Sequence, residues 1–205
     1  MFALRYTVIV AAGRELLLNA AIRSLEINGW DGSQIVEILD EAHASRSSVY
    51  HFFGSREGLL AAATAERYRR LLLKENTAHV KTASDCQTTE ELFGYVAEQV
   101  VRTVTDPETI KARHARVAMG ADALIHEELR MDLVQRQQRF LDAIADIVRV
   151  GQAKKIVRQE LDAMAYAAWL HGTLLGRTLT ETAFEDTSRW LEVAIEAVLA
   201  PLRPR

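Results

Sequence analysis

Residues 35–53 read IVEILDEAHASRSSVYHFF. Ile35, Ile38, Leu39 and Ala42 repeat the i, i+3, i+4, i+7 spacing of a helix with one apolar face. His43 and Ala44 then make a tight turn. Ser45 is placed to cap a second short helix, with Ala44 and Val49 at the staple positions and Phe52 and Phe53 completing its apolar face. Gly54 ends it, and Ser55 caps the next helix. Two short helices across a tight turn, the second opening on a polar face, have the geometry of a helix-turn-helix. The same pattern also describes a plain helical hairpin, so the exposed residues carry the distinction.

Arg46, Ser47 and Ser48 lie outside the first turn of the second helix, where side chains reach base edges when such a helix enters the major groove. Arg46 can donate two parallel bonds to guanine O6 and N7, worth about 1–3 kcal/mol of discrimination. The hydroxyls of Ser33, Ser48 and Tyr50 and the cation of Arg56 are groups that fix register on phosphates.

On both sides the helical period persists. Upstream, Leu18, Ala21, Ile22 and Leu25 predict a helix stopped by Gly29, and Ser33 is a candidate N-cap for the helix after it. The apolar run from Tyr6 to Ala12 resembles a short signal peptide but passes straight into that helix. It is therefore expected to be an arm extending the helix. Downstream, a long helix is expected from Arg56 to about Val80. Thr88 and Glu91 form a capping box, Asp106-Pro107 opens another helix, and a further one runs from about Asp122 to Val150, ending at Gly151. Gln152 to Glu160 is a loop. Asp162, and Asp186 or Thr187, cap the last two helices, which stop at Pro201. No segment alternates with period 2, so the expectation is all-α, with about nine helices.

Composition narrows the class. The 205 residues include only 10 Gly, 3 Pro and a single cysteine, Cys86. That composition excludes collagen-like chains, an intramolecular disulfide framework and a paired-cysteine zinc site, and it fits a reducing, cytoplasmic setting. No apolar run approaches the ~20 residues that cross a bilayer, so no membrane partner is expected. The net charge of −3 gives no polyanion-binding tail.

Residues 38–42, then SRSSVYHFFGSRE (45–57) and Leu59-Leu60, resemble the TetR family of bacterial transcriptional regulators. The resemblance is close over about 14–60; beyond that it rests on helix lengths and a spaced pattern of Gly151, Leu161, Asp162, Gly172 and Gly176. It implies a helix-turn-helix DNA-binding domain over 1–55 and a helical ligand-binding and dimerisation domain over 56–205. Arg46, Ser47 and His51 would contact bases, and Ser33, Ser48, Tyr50 and Arg56 phosphates. The helix from Arg56 would link the two domains, and the last two helices would form a dimer's four-helix interface. This chain departs from the family in three ways. His43 stands at the usual turn glycine and needs a left-handed backbone; Leu39 replaces a smaller residue; and the arm is apolar. Residues 1–60 hold five Arg against seven acids, so DNA affinity should rest on a few placed contacts.

Phe93, Val96, Val100, His114, Met119, Phe140, Tyr166 and Trp169 are candidates for an effector pocket, although aromatic and Met residues at helical spacing are more often plain core. Ala165, Ala168, Gly172 and Gly176 permit close helix approach, and Trp190, Leu191 and Val198 add apolar area, so these are the candidate dimer contacts. His114 and His126 are twelve apart and His171 stands alone, which is not a ligand spacing; no metal, no cofactor and no catalytic constellation are expected. Arg67, Arg69, Arg70 and Lys74 read as a solvated helix face. The expected function is a homodimeric repressor that binds a palindromic operator in double-stranded DNA and is released by a small-molecule effector. The alternative is a helical protein-interaction module with weakened DNA binding.

Overall fold

The computed structural model describes residues 2–72 and 82–204, and every regular element among them is helical. In chain order these are α1 (Phe2–Gly32), α2 (Ile35–Glu41), α3 (Arg46–Phe53), α4 (Arg56–Leu72), α5 (Thr89–Thr105), α6 (Pro107–Ile125), α7 (Glu127–Ala153), α8 (Ala163–Thr180) and α9 (Thr187–Leu199), followed by a 3-10 turn at Ala200–Leu202. The all-α expectation is met. Two compact units divide the chain: residues 1–70 with 119–134, and residues 71–118 with 135–205.

In the first unit α1 packs on α2 and α3. Leu17, Ala21, Ile22 and Leu25 of α1 are buried, with Ile38, Leu39 and Ala42 of α2, Val49 of α3 and Leu59 and Leu60 of α4. The regular helix stops at Gly29, as expected: its φ 69° and ψ −174° are not helical, and a single further turn runs beyond the break to Gly32. Ser33 does not cap α2. The cap position is Gln34, without a side-chain bond, while fully buried Ser33 donates its hydroxyl to the Gly29 carbonyl at 2.7 Å. The kink leaves that carbonyl without its helical partner, and the hydroxyl satisfies it. α4 is described to Leu72; the stretch expected to carry it on to Val80 lies outside the described residues, as does Lys74.

The boundary expected near Asp122 falls instead at His126. Asp122 is inside α6, its carbonyl accepting the His126 amide at 3.0 Å, and the His126 ring stacks on Trp30 at 4.4 Å. Gly151 does not end α7, which continues to Ala153 before Lys155 turns the chain at φ 61°. Gly151 serves packing: a Cβ there would stand 2.5 Å from Val157 Cγ2 and 2.9 Å from Leu92 Cδ2. The loop that follows is tied by the Gln152 amide, which donates to the carbonyls of Arg158, Gln159 and Leu161.

In the second unit the expected caps are present. The Thr88–Glu91 box is closed, Asp162 accepts from the amides of Met164 and Ala165 at 2.9 Å, and Asp186 accepts from Arg189 at 3.0 Å. Leu92 and Val100 of α5, Ala145 and Val148 of α7, Tyr166 and Ala167 of α8 and Val198 of α9 form one apolar core. Cys86 is buried in it, its thiol pushed up by burial, and Lys154 donates to the carbonyl of Cys86 at 2.6 Å.

Candidate functional site

The α2–α3 turn is built as its residues require. His43 has φ 49°, the left-handed backbone normally given to glycine. Ser45 caps α3, its hydroxyl accepting from the Ser48 amide at 3.3 Å, and hydroxyl contacts link Ser45 to Ser47 at 2.7 Å and to Ser48 at 3.0 Å. Val49 is buried beneath α3, while Arg46, Ser47, Tyr50 and His51 project from it into solvent. Tyr50 is 67% exposed, unusually open for an aromatic side chain. The His51 ring packs edge-on against Phe52 at 4.8 Å, which limits its orientations. These four and half-buried Ser48 form one continuous polar surface.

Two of the expected phosphate contacts have other partners in this conformation. Ser33 is buried, as above. Arg56 donates to the Ser33 carbonyl at 2.8 Å and to the Trp30 carbonyl at 3.1 Å, and pairs with Glu57 at 3.3 Å. Its guanidinium thus fastens the start of α4 to the segment beyond the Gly29 kink. The α3–α4 junction is equally constrained: Ser55 accepts the Gly58 amide at 2.9 Å, and a Cβ on Gly58 would stand 2.1 Å from the Phe53 carbonyl oxygen. Arg69 and Arg70 both pair with Glu66, holding its carboxyl down at about 2, and Arg67 pairs with Glu26 at 3.4 Å.

The second unit holds a partly open cavity of about 160 Å³ between α5, α6, α7 and α8. Val96, Val100, Phe140 and Tyr166 line it; Phe93, His114, Met119 and Trp169 do not. The reason is helical register, since one residue turns a side chain by about 100°. Phe93 and His114 each follow a lining residue, Leu92 and Arg113, by one position. Phe93 packs on the core, and exposed His114 bonds Glu181. Met119 is buried in the other unit, and Trp169 is 43% exposed.

The polar wall of the cavity was invisible in the sequence pattern, because arginine in a helix reads as surface. Arg113 is only 2% exposed, donating to Glu181 at 2.7 Å and to the Thr178 hydroxyl at 3.1 Å, while its Nε–H has no acceptor. Burial opposes ionisation of Glu181, but the bonds from Arg113 and His114 outweigh it and hold the carboxyl below its ordinary range. Arg116 lies over the Phe140 ring, 5.3 Å from its centre, and His171 meets the same ring at 4.7 Å. Burial, then the nearby Arg116 charge, push the His171 imidazole down to about 4, so it is neutral at pH 7. Tyr166 is likewise pushed up by burial, its hydroxyl donating to the Val198 carbonyl at 2.9 Å.

Of the residues expected at a dimer contact, Ala165, Ala168 and Gly172 are exposed on α8, and added Cβ atoms at Gly172 and Gly176 would meet nothing within 4 Å. Leu179 on α8 and Val193 on α9 are also exposed, at 74% and 71%. Trp190, beneath the Arg177 guanidinium, and Leu191 are half-buried. Val198 is a correction: it is fully buried in the unit's own core and contributes no surface. Among the described residues no group of three His, Cys, Asp or Glu side chains could hold a metal, and no helix is long and apolar enough to cross a membrane.

Comparison with known proteins converges on one family. Residues 17–63, spanning α2 and α3, match the family model for bacterial regulatory proteins of the tetR family. The transcriptional repressor NicS of Pseudomonas putida is 24% identical over 154 residues, 72% of this chain and 67% of that protein. The transcriptional regulator BetI of Burkholderia thailandensis is 26% identical over 195 residues, 92% of this chain and 94% of its own. The fold is shared with Salmonella enterica GusR (TM-score 0.68, 20% identity, 93% and 95% of the chains). It is shared also with a TetR-family regulator from Cytophaga hutchinsonii (TM-score 0.67, 16% identity, 93% and 94%). The polar surface on α3 lies inside the matched segment, and the relatives found bear the names of transcriptional regulators; the chain is similar to bacterial transcriptional regulators of the TetR family.

Proposed function

We propose that the protein is a homodimeric repressor that reads a palindromic operator through α3 and is released by a small molecule bound in the cavity of its second unit. The exposed face of α3, with Tyr50 open to solvent above buried Val49, is the observation that carries this reading. Arg46, Ser47 and His51 are assigned to bases, and Ser48 and Tyr50 to phosphates. Arg56 and Ser33 act through position, holding the chain between α1 and α4. A two-fold dimer through the exposed faces of α8 and α9 sets two recognition helices about one DNA turn apart, so each half-site is read once. Release is a population shift: an effector that prefers the conformation poor in DNA affinity lowers that affinity by its differential binding free energy, and DNA weakens effector binding reciprocally.

Selection from a random duplex pool near physiological salt, with Tyr50→Ala in parallel, tests the reading. Enrichment of a palindrome by the wild type and not by the variant is expected. On the selected site, Arg46→Ala should relax base preference at one position per half-site, at a cost of about 1–3 kcal/mol. No enrichment by ligand-free wild type would overturn the operator reading. It would favour a protein-interaction module, in keeping with the two-acid excess of residues 1–60.

A further inference from the structure

The cavity of the second unit combines an apolar body with arginines in its wall, and this combination specifies a ligand class. Its volume, about 160 Å³, is close to the ~150 Å³ that accommodates a benzene ring in a protein interior. Three aromatic rings, Tyr95, Phe140 and Tyr166, contribute to its wall, and aliphatic side chains such as Val96, Ile144 and Leu170 supply most of the rest. The charged residues of the wall are all arginines, Arg102, Arg113 and Arg116, with no carboxylate among the lining side chains. Glu181, outside the wall, pairs with Arg113 at 2.7 Å. One group in the wall awaits an acceptor, the Arg113 Nε–H, and the His171 ring lies in the same wall. A buried donor without an acceptor is costly, and a carboxylate satisfies it through a charge-assisted bond stronger than a neutral one. A cationic ligand would instead place like charges together in a low-dielectric interior.

We propose that this cavity binds a small aromatic monocarboxylate, its ring among Phe140, Tyr95 and the aliphatic wall and its carboxylate toward Arg113, Arg116 and His171. The identification rests on the effector reading above but is tested without DNA. Titration calorimetry on the wild-type protein compares benzoate, neutral benzamide and cationic benzylamine, three probes of nearly equal size. Benzoate is expected to bind at least about tenfold more tightly than benzamide, with benzylamine the weakest. Arg116→Gln is expected to abolish most of the preference for benzoate over benzamide; Arg113→Gln is less suitable, because it also removes the partner of Glu181. Equal or tighter binding of benzamide or benzylamine, or no binding of any of the three, overturns the proposal. A separate anisotropy titration on the selected operator distinguishes the two readings. Benzoate that binds yet leaves operator affinity untouched removes effector release and keeps the ligand class. Operator binding by a protein indifferent to benzoate removes the ligand class alone.

Discussion

At the level of single side chains, His43 and His171 show what a sequence discloses and what it withholds. His43 was legible: the turn needs a left-handed backbone, and the residue has φ 49°. His43→Gly relieves that strain, and the free energy of unfolding in urea should rise by about 0.5–1 kcal/mol. A fall would show that the imidazole contributes more than its backbone costs. His171 was not legible, because an isolated histidine on α8 carries no sign of the cavity it lines. Its pKa is driven from 6.5 to about 4 by burial, then by Arg116. Between those two values the unfolded chain holds a proton that the native protein lacks. Stability therefore falls as the pH drops through this window and is fully present above 6.5. Across it, the wild type should lose up to about 3 kcal/mol relative to His171→Asn. Stability curves that stay parallel from pH 7 to 4 would refute the assignment. Arg56 belongs here too: its charge pointed to phosphate, whereas its bonds to the carbonyls of Ser33 and Trp30 depend on a kink that no periodicity discloses.

Helices were legible where local chemistry sets them, in Ser45, Thr88, Asp162 and Asp186, whose side chains cap as their positions imply. Glycines were legible only in part, because two different causes look alike in a sequence. Gly29 breaks the helix as expected, whereas Gly151 makes room for Val157 and Leu92 and does not end α7. Register was the other limit, since Phe93 and His114 missed the cavity by one position each. Gly58 illustrates how tightly an element can be held. With the Phe53 carbonyl 2.1 Å from the site of a Cβ, a methyl group there forces α3 and α4 apart. Gly58→Ala should cost about 3 kcal/mol, read as an earlier urea midpoint at unchanged slope. It should also weaken operator binding, because the C-terminal end of α3 moves.

On the scale of the whole molecule, an apolar surface on α8 and α9 is left exposed among the described residues. Ala165, Ala168, Gly172 and Leu179, with Val193, offer small and apolar side chains to solvent, the composition of a helix face awaiting another helix. Leu179→Lys combined with Val193→Glu should convert a dimer to a monomer in sedimentation velocity while far-ultraviolet dichroism stays unchanged. A dimer that persists would place the interface elsewhere. Fold class and the helix-turn-helix could be read from sequence because each is written in contiguous residues. The cavity could not, since its wall gathers residues from four helices whose relative rotation only the folded chain sets.

The chain's one thiol lies inside that second core, with Lys154 bonded to the carbonyl of its own residue. The native protein thus carries a built-in stopwatch. Burial makes Cys86 react with a disulfide reagent chiefly when its surroundings open, so the labelling rate counts openings of the second unit and is blind to events in the first. Any small molecule that settles into the cavity should slow the clock, which makes an unmodified wild-type protein its own screening reagent.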